Sequence, residues 1–135
     1  MRIGRTPKRF TWWTTSCPFY LRIQGVPICQ LCSFPETRTI PPSFFDYMPA
    51  LQILNLSRTS IKSLPDSIIK LVSLKRLFLN NCRRLMMLSP KVGDLKQLEV
   101  IDLEGAKIMD LPMEIKELTN LKCLEVSCEY YSYYS

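Results

Sequence analysis

The chain has 135 residues, the length of one domain of ordinary size. It contains 47% hydrophobic and 22% charged residues, a composition typical of a folded rather than a disordered protein. It has no histidine, which excludes a Ser-His-Asp or Cys-His nucleophile pair and a histidine-based zinc site. No apolar run approaches the roughly 18 residues that a membrane span requires.

The net charge of +6 is distributed unevenly along the chain. Arg2, Arg5, Lys8 and Arg9 supply four positive charges at the start, and the rest of the chain carries 14 basic and 12 acidic residues. A nucleic-acid-binding face needs cations clustered in the folded body, and no such cluster stands out in the sequence. We therefore expect a solvated basic terminus and no nucleic-acid partner.

The composition changes near residue 50. Residues 1–50 contain two leucines and seven prolines, whereas residues 51–128 contain seventeen leucines. Proline disfavours long helices and central strands. The sequence therefore predicts an irregular segment over residues 1–35.

The leucine-rich part is an internal repeat. The pattern Leu-x-x-Leu-x-Leu, or a close variant, begins at Leu51, Leu74, Leu98 and Leu121, with spacings of 23, 24 and 23 residues. The alternation predicts a short strand with one face inward.

A second motif follows each of the first three strands. Leu-Pro-x-x-Ile-x-x-Leu, or a variant of it, begins at Leu64, Leu88 and Leu111, and an extra residue before Leu85 explains the single 24-residue period. Spacings of three and four residues predict a helical or 3₁₀ return. Stacked repeats would bury these columns, each Leu or Ile contributing about 1.5–3 kcal/mol. The predicted fold is an α/β solenoid with a parallel concave β-sheet and short helical, 3₁₀ or irregular convex segments.

Residues 36–128 resemble leucine-rich repeats. Thr59, Cys82 and Ala106 at the turn after each strand make the repeat similar to the intracellular plant type. The stretch from Thr39 to Ser57 is similar to the early repeats of nucleotide-binding leucine-rich-repeat disease-resistance proteins, most of all their coiled-coil class. The Gly-x-x-x-x-Gly-Lys-Ser/Thr loop of their ATPase module is missing from this sequence, so nucleotide binding is not carried over and we expect no cofactor.

Three regions are expected from this pattern. Residues 1–35 form the irregular segment, expected to cap the first repeat. Residues 36–128 hold about three complete repeats, part of a fourth and a degenerate one near Ile40, and residues 129–135 form a tyrosine-rich tail. We interpret the chain as part of a longer array, and we expect self-association through an uncapped C-terminal end.

The candidate binding surface is the concave face of the sheet, where equivalent residues of neighbouring strands lie about 4.8 Å apart. Phe78 and Arg76 are the first candidates for partner contact, because aromatic residues and arginine are enriched among interface anchors. The alternative is that the basic second strand and the acidic third strand only pair their charges. The predicted partner-binding residues are Ile53, Asn55, Ser57, Arg76, Phe78, Asn80, Val100, Asp102 and Glu104.

Two motifs with chemical potential are interpreted as structural. Asp102 and Glu104 are paired acids on an open, solvated face, so we expect neither a catalytic role nor a metal. Cys29 and Cys32 have the C-x-x-C spacing of a redox centre or half a zinc site, without a second close pair or a strand-helix context. We expect reduced structural cysteines, with Cys82 buried at its turn.

The resemblance implies a non-catalytic, cytoplasmic protein-recognition module in plant defence. Its partner would be a pathogen effector, a host protein or the nucleotide-binding module of its own protein. Two alternatives remain open: a stand-alone intracellular leucine-rich-repeat scaffold, and a C-x-x-C thiol redox protein.

Overall fold

The computed structural model describes residues 20–30 and 37–126. Its strands form one sheet of six strands in chain order. The first two strands pair antiparallel, and every later neighbour pairs parallel. The strands are β1 (Tyr20–Ile23), β2 (Val26–Gln30), β3 (Ile53–Asn55), β4 (Arg76–Phe78), β5 (Val100–Leu103) and β6 (Cys123–Val126).

Short 3₁₀ helices return the chain from β3, β4 and β5 to the next strand. They span Asp66–Lys70, Pro90–Asp94 and Met113–Glu117. Pro65 and Pro112 precede the first and third of these helices in an extended conformation, where a missing N–H leaves no helical hydrogen bond unmade. Parallel strands on one side and 3₁₀ returns on the other confirm the expected α/β leucine-rich-repeat solenoid.

The core consists of the leucine columns. The strand register places Leu54 beside Leu77 and Leu77 beside Ile101, and all three side chains are fully buried. Since each repeat supplies the same inward positions, the columns of successive repeats pack into one continuous core. The flanking columns are also inaccessible to solvent: Leu51, Leu74, Leu98, Leu56, Leu79 and Leu103.

The described part of the N-terminal segment is not irregular, which corrects the expectation for residues 1–35. Residues 20–30 form a β-hairpin whose turn contains Gly25 at φ 81°, and β2 continues the parallel sheet with Cys29 beside Leu54. Cys29 is fully buried and thus occupies the position of a core leucine. The strand was missed because Cys29 replaces the leucine and Pro27 lies inside the strand. A capping role for this hairpin stays a prediction.

Residues 37–50 connect β2 to β3 by a series of turns in place of a 3₁₀ helix. Phe44, Phe45 and Met48 are buried there, and the two phenylalanine rings meet edge to face with centroids 5.1 Å apart. Ile40 joins the same core. Large side chains therefore fill the core of the degenerate repeat, where later repeats use regularly spaced leucine and isoleucine.

The apolar columns become less buried in the last repeat. Leu111, Ile115 and Leu121 are only partly buried, and Leu124 is 36% exposed, whereas its equivalents Leu77 and Ile101 are inaccessible. Self-association through this end stays a prediction.

Several expectations lie outside the described residues. They concern the basic terminus, Cys32, the end of the last repeat and the tyrosine-rich tail of residues 129–135. Within residues 20–30 and 37–126, no helix has the length and apolar character needed to cross a bilayer.

The contact between neighbouring 3₁₀ helices is tight at Gly93. A Cβ added there would lie 2.8 Å from both the Cβ and the carbonyl oxygen of Glu114 in the next repeat. We expect Gly93→Ala to lower the free energy of unfolding by about 1–3 kcal/mol, because backbone atoms of the adjacent repeat must move. Urea denaturation followed by circular dichroism measures the change.

The matched control is Asp94→Ala, at the exposed neighbouring position of the same helix. Its unfolding free energy should stay within about 0.5 kcal/mol of the wild type. Equal unfolding midpoints for the two variants would contradict the close approach of the repeats.

Candidate functional site

The sheet register brings the predicted partner-binding residues into columns on the face opposite the core. Arg76 lies between Ile53 and Val100, and Phe78 lies between Asn55 and Asp102. Backbone hydrogen bonds continue this alignment past the strand ends. The carbonyl of Asn80 accepts from the N–H of Arg58, and the carbonyl of Glu104 accepts from the N–H of Asn81. The residues that share the face are Ile53, Asn55, Ser57, Arg76, Phe78, Asn80, Val100, Asp102 and Glu104.

The members of this face are not equally accessible. Arg76 and Glu104 are exposed, and Phe78 is half-buried. Ser57 is only 8% exposed, and its hydroxyl donates a hydrogen bond to the Oδ1 atom of Asn80. Ser57 therefore orients the side chain of Asn80 and offers little surface of its own. This makes Ser57 a weaker candidate for direct contact with a partner than the exposed members of the face.

Two polar side chains of the face also stabilise the ends of their own strands. The Oδ1 atom of Asn55 accepts from the backbone N–H of Ser57 at 3.0 Å, and the Oδ1 atom of Asp102 accepts from the N–H of Glu104 at 3.0 Å. Such two-residue bonds are a common use of Asn and Asp in turns. They fix the orientation of Asn55 and Asp102 before any partner binds.

A shallow depression of about 360 Å³ lies on the face where β3 and β4 end. It is lined by Asn55, Ser57, Phe78 and Asn80 from the predicted set, and by Arg58. Sequence reasoning missed Arg58 because the residue follows the strand rather than alternating within it. The depression offers an aromatic ring beside amide, hydroxyl and guanidinium groups, a combination suited to a protein side chain.

The charge pairing differs from the expected one. Glu99 forms a salt bridge at 2.7 Å with Lys122, which precedes β6. It does not pair with Lys75 or Arg76 at the basic strand β4. The hydrogen bond and positive charge of Lys122 lower the pKa of Glu99, and Lys75 and Arg76 contribute further attraction. The signal was present in the sequence, since Lys75, Glu99 and Lys122 alternate in charge at the repeat spacing.

An acidic patch forms beside Phe78. Asp102 and Glu104 meet Glu125 of the next strand, with one carboxylate oxygen from each within 4.8 Å of the others. Exposed carboxylates commonly cluster without a metal, and the three form the negative part of the concave face. Phe78 thus has the acidic patch beside it across the sheet and the exposed cation of Arg76 beside it along its own strand.

Cys82 lies in a buried hydrogen-bonded cluster that joins two repeats. Its thiol donates to the carbonyl oxygen of Leu56 at 3.0 Å, and the hydroxyl of Thr59 donates to the same oxygen at 2.8 Å. Burial raises the pKa of the Cys82 thiol, which outweighs the lowering effect of the hydrogen bonds from Thr59. The cysteine is a structural thiol in this environment.

The C-x-x-C motif has only one member among the described residues. Cys29 is fully buried in β2, at the position of a core leucine, and Cys32 lies outside the described residues. A reactive redox thiol needs an accessible, electropositive environment. The burial of Cys29 thus favours a packing role.

The Glu99–Lys122 pair gives a pH-dependent prediction. Because the pKa of Glu99 is lowered in the folded state, the pair stabilises the fold above pH 4.5, the ordinary pKa of the group, and the contribution is lost as the pH falls through the folded value. Lys122→Ala should move the pKa of Glu99 back toward 4.5, measured by NMR titration of its carboxyl carbon. Lys107→Ala removes an exposed cation elsewhere and should leave it unchanged; equal shifts in both variants would contradict the pairing.

The environment of Cys82 predicts slow alkylation. We expect iodoacetamide to modify Cys82 in the folded chain more than about tenfold more slowly than half-buried Cys123, because reaction at Cys82 requires opening of the repeat. Site-resolved mass spectrometry over time measures both rates. In 8 M urea the two rates should converge, and comparable rates in the folded chain would contradict a buried structural thiol.

Comparisons with known proteins agree with this architecture. The family described as "Leucine rich repeat" matches residues 33–83. The solved structure of the leucine-rich-repeat protein LIC12759 from Leptospira interrogans is similar, with a TM-score of 0.60 and 30% identity, covering 73% of this chain and 26% of that one.

Curated relatives are plant disease resistance proteins. The chain is 41% identical over 91 residues to disease resistance protein At4g27190 of Arabidopsis thaliana, covering 67% of this chain and 9% of the relative. It is 33% identical over 85 residues to TMV resistance protein N of Nicotiana glutinosa, covering 62% of this chain and 7% of the relative. The chain therefore spans less than a tenth of the length of either relative. With its repeat register and buried columns, it is a leucine-rich-repeat region of the kind that plant disease resistance proteins carry.

Proposed function

We propose that the concave face is the recognition surface of a non-catalytic module in plant defence. The observation that carries the proposal is the arrangement around Phe78, whose half-buried ring borders a depression and has both the exposed Arg76 and an acidic patch as neighbours. Aromatic and arginine side chains at the centre of a surface are the usual anchors of protein interfaces. Leucine-rich-repeat regions in general mediate protein–protein contacts, which supports the same conclusion.

The partner is proposed to be a pathogen effector, a host protein, or the nucleotide-binding module of the same resistance protein, met in the cytoplasm. The face has both signs of charge within a few side chains, since Arg76 lies two residues before Phe78 on β4 and Asp102 and Glu125 follow Phe78 across the sheet. On such a face, complementary charge contributes more to the choice of partner than to the affinity of binding. A protein surface with an apolar side chain flanked by one acidic and one basic group fits it.

Of the two alternatives that the sequence left open, the thiol redox function receives less support. A thiol redox function requires Cys29 to be accessible, and its side chain is fully buried. A stand-alone scaffold would use the same concave surface, so the same residues would contact its partner.

The test removes the two anchors together. In the double variant Arg76→Ala/Phe78→Ala, we expect recovery of cross-linked partner proteins from plant leaf cells to fall at least about tenfold, since central anchors dominate interface energy. Quantitative mass spectrometry of proteins captured by the tagged chain measures the loss, and purified nucleotide-binding module serves as a separate defined probe.

The matched control is Lys70→Ala/Val72→Ala, which removes an exposed cation and an exposed apolar side chain on the helical side of the solenoid. It should retain the wild-type partners. Undiminished capture by the Arg76/Phe78 variant, with a wild-type circular dichroism spectrum, would eliminate the concave face as the recognition surface.

A further inference from the structure

A second surface with its own chemistry lies where the strands end and the chain turns toward the 3₁₀ helices. We name it the loop face and define it as residues 58–64, 81–89 and 105–111. Its repeats are joined by backbone contacts: the N–H of Met109 donates to the carbonyl of Met86 at 3.0 Å, and Met87 forms an isolated bridge with Asp110. The loops therefore form one continuous side of the solenoid.

Three arginines meet on the loop face. Arg58, Arg83 and Arg84 line one depression of about 490 Å³, together with Asn81. All three are exposed, and within residues 37–126 none of them forms an ion pair. Like charges that line one depression repel one another, and a bound anionic group would relieve that repulsion. Guanidinium groups are also suited to bidentate contact with carboxylates.

Two features of the chain contribute to this cluster, the one-residue insertion in the second repeat and the backbone conformation of Arg58. The one-residue insertion that lengthens the second repeat to 24 residues places Arg84 directly after Arg83. Arg58 has a φ of 62°, in the left-handed region, which the equivalent residues of the next two repeats, Asn81 at 59° and Gly105 at 75°, also adopt. Glycine and asparagine adopt this conformation more readily than arginine does. Strained residues are common at binding sites, and the side chain of Arg58 lines the depression.

An apolar groove of about 660 Å³ adjoins the arginine cluster and shares Arg83 and Arg84 with it. Its floor includes Leu64, Met86 and Met87, and Met86 and Met87 are 50% and 70% exposed. Exposed apolar groups rimmed by polar residues mark interaction sites, and methionine adapts its shape to varied partners. Lys62 adds a further cation to the rim of the groove.

We propose that the loop face binds an acidic linear peptide that carries an apolar anchor. Its carboxylates would contact Arg58, Arg83 and Arg84, and the apolar side chain would occupy the methionine groove. A nucleic acid fits less well, because none of the described residues that line either depression is aromatic and single-stranded bases depend on aromatic stacking. The positive charge of the face is complementary to an acidic segment. This site is independent of the function proposed for the concave face, with which it shares only Arg58.

The probe is a fluorescein-labelled peptide of twelve residues that alternates glutamate with leucine and phenylalanine, and fluorescence anisotropy measures its dissociation constant. We expect the constant to rise at least about tenfold in Arg83→Glu/Arg84→Glu and at least about threefold in Met86→Ser/Met87→Ser. The milder variant Arg83→Gln/Arg84→Gln removes the two charges without reversing them and should also weaken binding. It provides the test if the charge reversal disturbs folding. Binding should weaken as the salt concentration rises.

Matched controls come from the helical side of the solenoid. Lys91→Glu/Lys116→Glu reverses two charges there, and Val72→Ser removes an exposed apolar side chain. Both should bind the peptide with unchanged affinity, as should Arg76→Ala/Phe78→Ala, which separates this proposal from that for the concave face.

Four results would overturn the proposal. They are failure of the wild-type chain to bind the peptide at millimolar concentration, equal binding of a peptide with glutamine in place of glutamate, equal binding of one with serine in place of the apolar residues, and tighter binding of an oligouridylate of the same charge. The last result would assign the surface to nucleic acid instead.

Discussion

The structure depends on mutual burial of the leucine columns between neighbouring repeats. A three- or four-residue strand has too few backbone hydrogen bonds to persist alone, and a single repeat leaves its apolar face in water. Leu54, Leu77 and Ile101 become inaccessible only because each lies against its equivalent in the next repeat. The near-constant spacing of 23 or 24 residues is therefore the requirement that keeps the core continuous.

The polar interior of the repeats follows the same requirement. Turns after the strands bury backbone carbonyls, and an unpaired buried carbonyl is costly. The carbonyl of Leu56 is satisfied by Thr59 of its own turn and by Cys82 of the next repeat. The hydroxyl of Thr59 and the thiol of Cys82 occupy equivalent positions and join two repeats through one acceptor. The third repeat has a small, buried apolar residue, Ala106, at this position.

Residues that do not face the core form two surfaces of different charge. The concave face combines Arg76, Phe78 and an acidic patch, whereas the loop face collects arginine, lysine and methionine around Arg83 and Arg84. The concave face carries both signs of charge, whereas the arginine cluster of the loop face carries only positive charge, so the two proposed sites suit partners of different chemistry. Both rest on the backbone scaffold of the leucine columns, so substitutions at either face need not disturb the core.

The sequence by itself determined the repeat period, the inward columns, the parallel sheet and the concave residues, because apolar spacing is a local property of the chain. It missed β2, since Cys29 replaces the expected leucine and Pro27 interrupts the pattern, and only pairing with β3 defines that strand. Tertiary structure also decided that Glu99 pairs with Lys122, and that Ser57 is buried. Arg58 and Arg83 are 25 residues apart in the chain and meet only when repeats stack. Charge clusters of this kind depend on distances across repeats, whereas the core depends on periodicity within them.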